Sequence, residues 1–285
     1  MPSSPPPTPR RRLPRKRQPV TLAAIHANRG VEAAYRDELQ ALVRACVDDV
    51  TAGIRRTWNA DPPAAGMASD AAPTERLTRT LTRLGEKWQD RFNRLSDTMA
   101  RRFAKRARGT TEAAFMGALR QAGFAVRFAP TPPVMEAYHA VVGENVNLIR
   151  NLGRETLDDI QGKVWASVRA GHDMGTLSTQ LHDVLGMNWR RAATISRDQN
   201  NKAKAVIEAA RRKELGIREA IWQHSGGGMK PRPSHVKAGA DRVRYNIETG
   251  WYDPDAREYV WPGTLINCRC VSRAVIPGLD ESFYT

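Results

Sequence analysis

The stretch LTRTLTRLGEKWQDRFNRLSDTMARRF, residues 77–103, decides the fold. Leu77, Leu81, Leu84, Trp88, Phe92, Leu95, Met99 and Phe103 recur at steps of three or four. That spacing lies near the helical period of about 3.6 residues, so these side chains form one apolar seam on a helix predicted over 74–121. The same segment holds 12 Lys or Arg against 5 Asp or Glu, with Arg101, Arg102, Lys105 and Arg106 crowding its later half. The plain meaning of such charge is a solvated face. The sharper meaning is a face that tracks DNA phosphates, which needs dense positive charge and no sequence reading.

Outward from this helix the same period recurs. Leu39, Leu42, Val43, Cys46, Val47, Val50 and Ile54 share one face of a helix over 21–57, so Cys46 reads as a small buried apolar residue. The short apolar run Val20–Ile25 reads as the first turns of that helix. Residues 59–73, with three prolines and many small residues, form a linker. After the break APTPP at 129–133, Val134, Tyr138, Val141, Val142, Leu148, Ile149 and Leu152 start a third helix reaching about residue 170. Two further helices are predicted over 176–185 and 189–215, with Gly216 as the stop.

Beyond residue 216 the texture changes to short β-type runs between Gly, Pro, Asp and Asn: 217–223, 242–247, 259–261 and 270–276. The fold class is therefore α+β: a mostly helical N-terminal body with long helices and a small mixed, β-rich C-terminal module. A module of that size buries little surface alone and must pack on the preceding helix. The division is a basic Pro-rich arm over 1–19, a helical body over 20–170 and a C-terminal domain over 171–285.

The chain has 285 residues and a formal net charge of +15, with a pI near 10.3. That excess favours polyanionic partners. Residues 1–19 contain seven prolines and six basic residues, Arg10, Arg11, Arg12, Arg15, Lys16 and Arg17, and no acidic one. Such an arm is expected to be disordered in isolation, and is either a solubilising tail or a segment that lies along DNA or an acidic partner. Three cysteines, Cys46, Cys268 and Cys270, are too few for a disulfide framework, which favours assembly in a reduced intracellular place. No stretch reaches the roughly 18–20 apolar residues that span a bilayer, so no membrane partner is expected.

Five blocks stand in order along the last third: MGTLSTQLHDVLG (174–186), RAATISRDQNNKAKA (191–205), LGIREAIWQHS (215–225), KPRPSHVKAGA (230–240) and WPGTLINCRCVSRAVIP (261–277). This series resembles the C-terminal domain of the tailed-bacteriophage Mu F-like head-morphogenesis proteins, which are minor capsid proteins of double-stranded DNA phages. The block Arg232-x-Ser-His235-x-x-x-Gly239 and the ending Pro262-Gly263-x-x-x-Asn267-Cys268-Arg269-Cys270 carry most of the resemblance. The family's charged hairpin after the tryptophan is replaced here by QHSGGGMKPRPSH, which reads as a loop. The resemblance implies a non-enzymatic role in procapsid assembly. It also implies association with the portal and with capsid or scaffold proteins, contact with packaged DNA, and a place in the virion head after assembly in the host cytoplasm.

The residues themselves allow three readings. Cys268 and Cys270, two apart on an extended chain, put both sulfurs on one face, and His235 can complete three ligands of a zinc site. The fourth would be His224, Asp253 or Asp255. The spacing is not that of a standard finger. In the competing reading both thiols pack in the module's core, His235 holds a neighbouring loop by hydrogen bonding, and Asn267 shapes a turn. In a third reading His224, Arg232, His235 and Arg244 form an acid–base set that cleaves RNA, making the module a nuclease or toxin-like enzyme. Gly226-Gly227-Gly228 before Lys230 lacks the Gly-Lys-Ser/Thr of a P-loop and is read as a linker.

Overall fold

The structure is a computed structural model that describes residues 19–60, 71–171, 174–227 and 230–277. The basic arm from Arg10 to Arg17, and with it the DNA-contact expectation for those six residues, lies outside the described residues.

Four long helices form the body: α1 (Arg29–Ala60), α2 (Ala71–Gln121), α3 (Pro132–Ala170) and α4 (Met174–Glu214). Each of α1 and α3 packs against both α2 and α4. Their shared core buries the expected face of α1 from Leu39 to Ile54, including Cys46, and the α2 seam from Leu77 to Phe103, with one exception. Leu95 is 36% exposed, while Ser96 is fully buried, donates to the Asn93 carbonyl and accepts from Arg150 Nε at 3.2 Å. The buried line passes from Phe92 through Ser96 to Met99 and Ala100, which leaves Leu95 at the edge of the stripe. Against Phe92 sits Gly153 of α3, where an added Cβ would lie 2.5 Å from the ring. Only a glycine admits that approach.

The helix breaks follow local chemistry. Asn28 caps α1, its Oδ1 accepting from the N–H groups of Gly30 (2.9 Å) and Val31 (3.1 Å). Gly171 ends α3 and Gly216 follows α4, both in the left-handed region at φ 65° and 67°. Among the described residues no helix is long and apolar enough to cross a membrane.

Two expectations are corrected here. The run Val20–Ile25 does not begin a helix: Val20–Thr21 is strand β1, paired with a strand formed 250 residues later. Leu22 and Ile25 are buried in the C-terminal module's core, so the run is more stable there than as a short helix in water. The separate helices expected at 176–185 and 189–215 are one continuous α4. Gly186 costs about 1 kcal/mol within a helix. That is outweighed by the burial of Leu177, Leu181, Val184 and Ala192 along one face.

The module contains β2 (Glu219–Gln223), α5 (Pro233–Ala240), β3 (Arg244–Asn246), β4 (Trp251–Asp253), β5 (Glu258–Val260) and β6 (Val271–Ile276). An antiparallel sheet runs in the order β1-β6-β2-β3, and β4 and β5 make a separate hairpin. Strands β1 and β4 and helix α5 are absent from the sequence reading. The module does pack on the helices: Phe115 and Leu119 from the end of α2 enter its core. A buried ion network adds to this. Glu208 of α4 pairs with Lys204 at 2.9 Å and with Arg212, and Arg212 donates to Ser272 Oγ (2.5 Å) and to the Ser272 carbonyl (3.1 Å) on β6.

Candidate metal centre

The two family-like blocks, about 30 residues apart, meet at one place. Pro233 opens α5, and its first turn carries His235 into the module's interior. Trp222 of β2 packs edge-on against the imidazole at 4.8 Å between ring centroids. Gly239 on the same helix lies against β2's end, where a Cβ would meet His224 Cβ at 2.5 Å and its backbone nitrogen at 2.8 Å. That close approach sets how far His235 reaches.

The cysteines arrive from the other side. Gly263 at φ 92° and Asn267 at φ 62° turn the chain between β5 and β6. Gly263 donates its N–H to Cys268 Sγ at 3.3 Å, and Cys268 N–H donates to the Leu265 carbonyl. Pro262, Gly263, Cys268 and Cys270 are all buried. His235 Nδ1 lies 3.5 Å from Cys268 Sγ and 3.8 Å from Cys270 Sγ. The three ligand atoms all fall within 4.8 Å of one another. Zinc–sulfur and zinc–nitrogen bonds of about 2.3 and 2.0–2.1 Å at tetrahedral angles give S–N edges of about 3.6 Å, which the observed separations match.

Behind the imidazole stands Asp253. It is fully buried, its Oδ2 is 2.9 Å from His235 Nε2, and its Oδ1 accepts the Asp255 N–H at 2.9 Å. A carboxylate on Nε2 fixes the tautomer that leaves the Nδ1 lone pair facing the sulfurs, as it does behind metal-bound histidines. Burial disfavours the charged carboxyl of Asp253. Bonds from Ser234, the Asp255 N–H and His235 outweigh this and hold it below the usual carboxylate range.

The thiols are unequal. Hydrogen bonding from Cys270 works against burial and, with His235 and the Cys270 and Gly263 N–H groups, brings Cys268 down to about 4. The same sulfur pairing, with burial, pushes Cys270 up. Burial opposes charge on His235, but hydrogen bonding to Cys268 and the charge there, with Asp253 behind, raise it above its ordinary value. Cys268 is thus the sulfur that gives up its proton more readily, with the Cys270 thiol and the His235 imidazole beside it. A cation that displaces those protons finds two sulfurs and one neutral nitrogen, the donor set that suits zinc. Trp222 adds a further sign of fit. Its Nε1–H is buried without a conventional partner, and it acts to favour the Cys270 thiolate.

Each of the three expected fourth ligands is occupied elsewhere or absent from the cluster. Asp253 serves the opposite nitrogen of His235. Asp255 Oδ2 accepts the Ser234 N–H at 2.9 Å. His224 Nδ1 accepts from the Gly226 N–H at 3.1 Å. A cavity of about 570 Å³ opens over the sulfurs, lined also by His224, Arg232, Asn267 and Arg269, so a fourth position faces a space that water or a ligand can enter.

The other singled-out residues divide. Arg232 donates to the Ile266 carbonyl at 3.2 Å. The Asn267 N–H donates to Asp198 Oδ1 at 3.1 Å, and its Oδ1 accepts from Arg197 at 2.6 Å, so it docks the turn on α4. Arg244 stands apart from the cavity on β3, 3.4 Å from Glu219, so the proposed acid–base set does not fully assemble. On α2, Arg101 pairs with Asp97 (2.7 Å) and Arg102 with Glu38 (3.0 Å), while Lys105 and Arg106 lie on the exposed face. Asp253, Trp222 and Arg197 were not assigned their roles from the sequence. The turn-rich WYDPDAR around Asp253 marks a loop but says nothing of what the carboxylate faces.

A Haemophilus influenzae protein, carrying only the name "Uncharacterized protein", is 26% identical to this chain over 274 residues, covering 94% of the chain and 56% of that protein. The chain thus spans little more than half the length of this relative. No protein-family profile matches the chain, and no solved structure does.

Proposed function

We propose that this chain is a minor head protein of a tailed phage, acting in capsid assembly beside the portal, with a zinc-clamped C-terminal module as its docking unit. The observation that carries the reading is the convergence of the two blocks that give the resemblance: His235 from one and Cys268 and Cys270 from the other form a single cluster. The helical body holds this module through α2, α4 and the buried Arg212–Ser272 contact, so a load on the module passes into long helices. The net charge of +15 suits a protein beside packaged DNA. In this reading the metal fixes the module's fold, and no catalytic step is assigned to it.

The test is composition of particles. Heads purified from a phage or induced lysogen bearing the gene are expected to contain the chain, cross-linked to portal or capsid protein. Heads that lack it, with no portal or capsid protein among its cross-linked partners, overturn the assembly role. A nuclease remains the second reading, because His224, Arg232 and His235 all line one cavity. Turnover of RNA or DNA that disappears in His235→Ala supports that reading over the first.

A further inference from the structure

The cavity over the sulfurs has a character that the metal cluster does not explain. At about 570 Å³ it falls in the roughly 300–1,000 Å³ range of small-ligand sites. Four cations stand around it: Arg197 from α4, Lys230 and Arg232 ahead of α5, and Arg269 between the cysteines. Among the described residues no Asp or Glu is in its lining. Arg232 is held by the Ile266 carbonyl and Arg197 by the Asn267 amide oxygen. Those acceptors are neutral, so they aim the guanidinium groups without cancelling their charge. The near carboxylate is Asp198, 3.7 Å from Arg197 Nε, and its Oδ1 is shared with the Asn267 N–H. Four cations against one carboxylate leave a strong positive excess.

The contrast with α2 is instructive. There Arg101 and Arg102 are each paired with a carboxylate, so these two charges are already matched. The module's charge is gathered from segments 30–70 residues apart and left facing an open cavity.

The ligand class follows from the donors. Planar guanidinium forks match phosphate oxygens, and an exposed Lys adds a point charge. Among the described residues the aromatic rings in the lining are the imidazoles of His224 and His235, with no indole or phenol platform on which bases stack. We infer that this cavity binds phosphodiester groups of a nucleic-acid backbone without reading sequence. The inference gives a location to the DNA contact in the assembly reading, but it needs neither portal binding nor zinc, so the two can fail separately.

The experiment uses the full chain and a labelled duplex of about 25 base pairs, with anisotropy titrations from about 50 to 200 mM salt. Lys230→Gln/Arg269→Gln removes two exposed cations, of which Arg269 acts on the Asp198 carboxylate already counted above. Each phosphate contact contributes about 0.9 to the slope of log affinity on log salt, so this variant is expected to lower the slope by about two. The comparison variant Arg101→Gln/Arg102→Gln is expected to leave it within half a unit. An unchanged slope in the first variant overturns the inference, and so does an equal fall in both, which would reduce the effect to net charge. Calorimetry with inorganic phosphate and a mononucleotide separates the sources. Phosphate binding lost in Lys230→Gln/Arg269→Gln while the duplex slope stays fixed overturns the nucleic-acid assignment in favour of a free-phosphate site. Matching thermal melts establish that the variants are folded.

Discussion

Replacing Asp253 by Asn probes the metal centre with little change in shape. The carboxylate has no exposed surface; its Oδ2 lies 2.9 Å from His235 Nε2 and its Oδ1 accepts the Asp255 N–H at 2.9 Å. An amide has one acceptor oxygen. If that oxygen serves His235, the NH2 group confronts the Asp255 N–H; if it serves Asp255, the NH2 group confronts His235 Nε2 and favours the tautomer that protonates Nδ1. In the second arrangement the ring is no longer held with its Nδ1 lone pair toward Cys268 and Cys270; in the first that tautomer survives only with an NH2 group facing an N–H, which weakens the hold. Loss of such a partner behind a ligand typically costs 10–100-fold in metal affinity, which is about 1.4–2.7 kcal/mol. The metal-free protein should also lose stability, because a charge-assisted buried hydrogen bond contributes about 1.5–3 kcal/mol. Elemental analysis of the protein purified without chelator should give about one zinc per chain. Competition with a chromophoric chelator should show the affinity loss in Asp253→Asn, and Cys268→Ser, left with two ligands, should retain almost no metal. A native chain that folds stably without zinc and binds none on addition refutes the metal centre. Zinc affinity in Asp253→Asn equal to that of the native chain refutes the role given to Asp253.

Other outcomes follow from the packing. Gly153→Ala should destabilise by about 1–3 kcal/mol in urea melts despite alanine's better helix propensity, since its Cβ would meet the Phe92 ring at 2.5 Å. In a Phe92→Ala background the same change should become neutral or stabilising, and an equal cost in both backgrounds rejects the clash. Arg212→Met leaves Glu208 buried with Lys204 alone and the Ser272 carbonyl without its donor, so it should cost about 3–5 kcal/mol; a loss under about 1 kcal/mol counts against the network as the tie between α4 and β6. Asp49 is held below the usual carboxylate range by hydrogen bonds from Lys87 and Trp88. Its contribution is therefore present above its unfolded value of about 3.9 and is lost as pH falls through the lower folded value. The melting temperatures of the native chain and Asp49→Asn should differ near neutrality and converge in strong acid, and a gap that persists there rejects the assignment.

The sequence by itself determined the helical body. A seam such as Leu77 to Phe103 is a short-range pattern, and a prolyl break such as 129–133 acts within a few residues, so neither needs distant information. It also marked the β-rich module and the Cys-x-Cys motif, and the family-like blocks singled out His235 as their partner. Only the tertiary structure decided what meets what. The run Val20–Ile25 carries no local instruction to pair with Val275 and Ile276, and it does so because β6 offers an edge and the module a core for Leu22 and Ile25. Gly186 looks like a break until the faces on both sides of it are seen to bury against one bundle. Asp253 reads as one more turn residue in WYDPDAR, and its place behind His235 is set by the β4–β5 hairpin lying against α5. The four cations of the cavity come from α4 and from two loops of the module. Periodicity reports which side of an element is apolar, whereas a site depends on which elements share a boundary, and that is settled by burial summed over the whole chain.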